Sequence, residues 1–139
     1  MDERQILLVK VSWSTLYKRP ELVEESLARQ FKKICPQFDN LDKDTFNGLS
    51  MLINSLVLNI HTFQNVYSLL NSRVKDFEYR GCTRETFNKL VQAFLQAIEK
   101  IHGKAWNIEI KSAWVIVIAS ISSKYSQIAG EIPPEVILD

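Results

Sequence analysis

Between Thr83 and Gly103, the apolar residues Phe87, Leu90, Val91, Phe94, Leu95, Ile98 and Ile101 recur at the three- and four-residue spacing of one helical face. Thr83 is a good N-cap with Glu85 in the first turn, and Gly103 stands where a helix C-cap favours glycine. A helix this long and this one-sided is stable only if its stripe is laid on other apolar faces. The rest of the chain must therefore supply such faces, and it does so at helical spacing.

Ile6, Val9, Trp13 and Leu16 make a first stripe, which stops before Pro20 because the residue preceding proline avoids the α region. A second helix opens at Pro20 or Glu21 and carries Val23, Leu27, Phe31 and Ile34 to Pro36. Residues 36–43 are short and polar, with room for one helical turn at most. A long helix from about Asp44 places Leu49, Leu52, Ile53, Leu56, Ile60 and Phe63 on one side. Thr62 is a candidate start for another helix, with Val66, Leu69, Leu70 and Val74, broken at Gly81. Asn107 caps a last helix with Trp114, Val117, Ile118, Ile121, Tyr125 and Ile128 on its apolar face, up to Gly130. The stretch 114–121, WVIVIASI, would by itself suit a buried strand. Its one candidate partner, SLVLNI at 55–60, lies within a helical stripe, so both read as helix. The expectation is one all-α domain.

Composition agrees with that expectation. A chain of 139 residues with 46% hydrophobic content can bury roughly two-thirds of the surface its unfolded form exposes. Four glycines and four prolines are too few for the many turns of an all-β fold. The net charge of +1, with signs interspersed, leaves no basic footprint for nucleic acid or an anionic membrane. The longest apolar run, 113–119, is too short to span a bilayer. The charged start MDERQ does not read as a signal peptide. Cys35 and Cys82 have neither metal-ligand nor redox spacing, so they read as buried thiols in a reducing, cytoplasmic setting.

No catalytic grouping emerges. His61 and His102 are the two histidines; the first falls at a helix junction and the second at a helix end, where an imidazolium favours the dipole. The pairs Glu24–Glu25 and Asp42–Asp44 read as solvated faces, and no phosphate-cradling glycine loop is present. The aromatics fall on the apolar stripes and read as core before they read as binding groups.

The order of these elements and four local stretches resemble the globin family, most of all the single-domain bacterial haemoglobins and the globin part of flavohaemoglobins. VKVSW places Trp13 where globins often carry tryptophan. LARQFKKICPQF is similar to their second helix running into proline. GCTRETFNKLVQAFLQAIEK resembles the stretch that opens their penultimate helix, and AWNIEIKSAWVIVIASISSKY resembles their final loop and helix. The resemblance runs from Arg4 to about Ile128. It implies a globin-like fold over residues 1–130, with helices packed three-over-three, a shortened connection after the second helix, and a tail at 131–139.

The same resemblance carries the family's functional positions onto residues that depart from its pattern. The proximal histidine that ligates haem iron maps to Phe77, flanked by Asp76 and Glu78, and a phenylalanine has no lone pair for iron. The distal position maps to Thr45, with Leu49 one turn on. The aromatic that wedges the haem maps to Leu41, and the oxygen-stabilising position of the second helix maps to Leu27. The old haem pocket is then lined by Leu27, Phe31, Leu41, Thr45, Leu49, Phe77, Cys82, Phe87 and Val91. The resemblance implies a haem-free binding or sensor module without enzymatic activity or metal. Its ligand would be a small apolar molecule such as a fatty acid, or its partner a protein or second copy. The alternative is a haem globin for oxygen or nitric oxide with an unusual axial ligand, drawn from Cys82, Tyr79 or His61 after a shift of the helix.

Overall fold

The computed structural model describes residues 1–37, 43–61, 66–79 and 82–129. Leu41, Thr62, Phe63, Gly81, Gly130 and the tail at 131–139 lie outside the described residues, as do the side chains of Val66, Leu69, Glu78 and Tyr79. The described chain forms six α-helices and no strand: α1 (Glu3–Tyr17), α2 (Pro20–Ile34), α3 (Lys43–Leu58), α4 (Val66–Tyr79), α5 (Arg84–His102) and α6 (Ile108–Ala129). The strand-like stretch 114–121 is helical throughout.

Local chemistry explains most helix ends. At α1 the Asp2 carboxylate accepts from the Gln5 N–H at 2.7 Å, while Gln5 Oε1 accepts from the Asp2 N–H at 3.0 Å. This reciprocal pair satisfies two donors that a helix start leaves open. Pro20 opens α2, and Cys35 closes it by donating its N–H to the Phe31 carbonyl at 2.8 Å. Thr83 Oγ1 caps α5 through the Thr86 N–H at 3.1 Å, and Gly103 ends that helix at φ 55°, backbone that glycine adopts without strain. Asn107 Oδ1 caps α6 through the Ile110 N–H at 2.9 Å.

One end differs from expectation. The periodicity carries the third helix on to Phe63, but α3 stops at Leu58. The Asn59 amide side chain donates to the Ser55 carbonyl at 2.8 Å, and the Asn59 N–H lies 3.2 Å from both the Ser55 and Leu56 carbonyls. A short polar side chain that bonds the helix's own carbonyls offers the backbone another way to satisfy them. Ile60 is still buried, in the turn that follows.

The helices are organised around α5 and α6. α2 lies across α5 with Ser26, Ala93 and Ala97 buried, and the Ser26 hydroxyl donates to the Ala97 carbonyl at 3.4 Å. Such small residues leave room for the two helices to cross closely. α6 packs on α1, α4 and α5; α3 packs on α1, α2 and α4. Trp13 joins several of these elements. Its ring lies 5.8 Å from Phe94 on α5 and 6.0 Å from Trp114 on α6, and its indole N–H donates to Asn54 Oδ1 on α3 at 3.0 Å. The Trp114 indole in turn donates to the Ser12 hydroxyl at 2.8 Å, and that hydroxyl bonds the Leu8 carbonyl at 2.7 Å. The indole donors of Trp13 and Trp114 therefore have partners, as burial requires, whereas the buried Trp106 indole N–H has none among the described residues.

Candidate functional site

The residues that the resemblance maps to a haem pocket come, where described, from four of the six helices. Leu27 and Phe31 stand on α2, Thr45 and Leu49 on α3, Phe77 on α4, and Phe87 and Val91 on α5, with Cys82 just before α5. All eight are 2% exposed or less. They belong to one continuous apolar core, apart from Thr45, which is buried among them as a polar residue.

At the centre of the site is a cluster of three aromatic rings. Phe77 meets Phe87 edge-on at 5.4 Å and Tyr125 edge-on at 6.3 Å, while Phe87 and Tyr125 stack at 3.7 Å with their planes 8° apart. The Tyr125 hydroxyl donates to the Cys82 carbonyl at 3.0 Å, and the Cys82 N–H donates to the Phe77 carbonyl at 2.8 Å. The cluster thus ties the end of α4, the start of α5 and the last turns of α6 together. On the other side the Phe77 ring extends to α3: a Cβ placed on Gly48 would lie 4.0 Å from Phe77 Cζ. A second aromatic contact, Phe31 with Phe46 at 6.0 Å, joins α2 to α3.

Of the candidate iron ligands, Cys82 is buried at this cluster, where its N–H and carbonyl bond Phe77 and Tyr125, and the side chain of Tyr79 lies outside the described residues. His61 is exposed in the turn after α3. His102 lies fifteen residues beyond Phe87 on α5, about 20 Å further along the helix axis. Its Nδ1 is 2.7 Å from the Ile98 carbonyl and its ring lies 5.5 Å from Trp106. Because a carbonyl only accepts, Nδ1 carries the proton. Neither Cys35 nor Cys82 is in a disulfide, and both are buried. Among the described residues, no three His, Cys, Asp or Glu side chains are grouped to hold a metal ion. None of the described helices is long and apolar enough to cross a membrane.

Two residues that shape the site do not appear among its sequence-derived members. Tyr125 reads as one more core residue of the last stripe, although a hydroxyl within an apolar stripe is itself a sign of a buried acceptor opposite. Gly48 carries no local signal except that glycine is costly inside a helix. A comparison of the chain with family models and with curated proteins returns no match.

Proposed function

We propose that the chain is a globin-fold module that works without haem and acts by recognition rather than by catalysis. The arrangement of contacts supports the fold reading. α1, α3 and α4 form a chain of neighbours, as do α2, α5 and α6, and the two sets meet through α1 with α6, α4 with α6, α2 with α3, and α1 with α2. Such neighbours suit a three-over-three packing, in which α3 and α4 would flank the haem position.

The packing of Phe77 supports the haem-free reading most directly. A porphyrin between two helices needs a carbon–carbon contact on each face, so the side chains flanking it must stand at least about 7 Å apart. The Phe77 ring instead reaches to ordinary contact distance of a Cβ on Gly48. The residue at the ligand position has also become a hydrocarbon, held by Phe87 and Tyr125 and 1% exposed. The residues present therefore do not fit a haem in the family's manner: the mapped proximal position offers no donor, and Phe77 fills the space towards α3. A buried phenylalanine contributes roughly 1.5–3 kcal/mol through its apolar surface, so the same substitution that removes the ligand stabilises the closed core.

Hemin titration followed by absorption spectroscopy tests this reading. The expected result is weak, non-saturating uptake without a sharp Soret band. A saturable one-to-one complex with a defined five- or six-coordinate spectrum would overturn it and favour an unusual axial ligand.

A further inference from the structure

The outer surface between α1 and α3 carries a feature that the buried cluster does not explain. From Thr45 to Leu58, α3 has no charged residue, although Met51 and Leu58 on it are 50% and 71% exposed. Tyr17 on α1 is exposed beside them. Two hollows of about 390 and 400 Å³ lie along this seam and adjoin one another, sharing Trp13, Tyr17 and Asn54 as walls, so together they make a trough along it. Along α3 it runs from Asn47 to Leu58, about 16 Å or three helical turns. An exposed apolar trough of this length between two helices has the dimensions of a third helix laid in it.

The polar groups of the trough have one character. Lys10 is the charged residue lining it among the described residues. Lys18 and Arg19, both exposed, join Tyr17 to Pro20, which line it. Among the described residues none of these three cations is ion-paired. Asn54 spends its Oδ1 on the Trp13 indole, which leaves its amide donors as the free edge. The Ser50 hydroxyl, also lining the trough, has no hydrogen-bond partner among the described residues. The acidic residues Glu21, Glu24 and Glu25 belong to a separate hollow with Lys43 and Phe46. Cations and amide donors around an apolar trough call for an occupant with apolar side chains on one face and carboxylates beside it.

We infer that the α1/α3 trough is the docking site for an acidic amphipathic helix of a protein partner. The partner's apolar side chains lie against Met51, Tyr17 and Leu58, and its carboxylates meet Lys10, Lys18 and Arg19. This deepens the recognition reading above and rests on it only for the claim that the chain acts by binding.

The test is a phage-displayed library of three- to four-turn helical peptides. Leucines are fixed on one face, the other positions are randomised, and the full chain is the target. The expected outcome is enrichment of Asp and Glu at positions flanking the leucines. Binding should weaken at least tenfold for the double variant Met51→Glu, Leu58→Glu, and also for Lys18→Glu, Arg19→Glu. All four positions are exposed, and matching circular-dichroism melts check that the variants fold. Failure to enrich any peptide, enrichment of Lys and Arg, or equal binding to parent and variants would overturn the proposal. So would sedimentation of the parent as a dimer that Leu58→Glu dissolves, because a second copy would then occupy the trough. Hemin titration of the same preparations reads the buried site alone, so either claim can fail while the other stands.

Discussion

The Tyr125 hydroxyl bonds the backbone carbonyl of Cys82 at 3.0 Å across 43 positions of sequence, while the Tyr125 ring stacks on Phe87. One side chain thus supplies both the apolar filling and the polar closure at the junction of α4, α5 and α6. Tyr125→Phe keeps the stack and removes the donor. It should lower stability by about 1 kcal/mol, the net worth of an ordinary intramolecular hydrogen bond or a little more for a buried carbonyl left short of a donor. Urea unfolding of parent and variant measures it. An unchanged midpoint would mean that the carbonyl is satisfied equally well by other means.

Gly48→Ala should stabilise the chain. The glycine is helical, and its new methyl group would meet Phe77 Cζ at 4.0 Å, an ordinary van der Waals contact. Removing the backbone freedom of glycine within a helix is worth about 0.5–1 kcal/mol. Thermal melts should shift upward. A downward shift would show that Phe77 lies closer to α3 than this contact allows, or that the position needs the freedom of glycine.

Phe94→Ala tests the central aromatic group. Phe94 is fully buried and lies 5.8 Å from Trp13 and 6.1 Å from Trp114. Truncation removes a filled volume that three helices share, and the expected loss is about 3–5 kcal/mol. Chemical denaturation reads it directly. A loss below about 1 kcal/mol would mean that the neighbouring rings collapse into the space.

Under the proposed haem-free reading, Phe77→His separates a missing ligand from a missing cavity. The imidazole would enter a site flanked by the Phe87 and Tyr125 rings, with Gly48 on the side of α3. Its nitrogens would need partners there, and leaving them without costs about 1–3 kcal/mol. The variant should therefore melt earlier than the parent and take up hemin without one coordination geometry. A sharp, stoichiometric Soret band would show that α3 and α4 can part to admit the porphyrin.

Much of the secondary structure was legible because it is decided locally. Pro20, Thr83, Gly103 and Asn107 act on the backbone within one turn of themselves, and the stripes they bound are read at a period of 3.6 residues. Where a neighbour competes at the same range, as Asn59 does for the Ser55 carbonyl, periodicity overruns the true end. The stripes also marked most of the buried set, from Val23, Leu27 and Phe31 to Ile121 and Tyr125, although Ile34, Leu95 and Ile101 are only half-buried and the buried Phe46, Val57, Ala93 and Ala97 lay on no stripe. That Phe77 is not a metal ligand follows from its side chain alone. What Phe77 does instead was decided by tertiary structure: its contact with Gly48 on α3 and its place against Phe87 and Tyr125 depend on how α3, α4, α5 and α6 are set beside one another. The same holds for the trough beside Trp13, which exists only where α1 and α3 run together. Helical period determines which side of each helix is apolar, but it does not determine which side of which neighbour that face meets. The crossing geometry that does so arises from fitting all the side chains of the core into one volume at once.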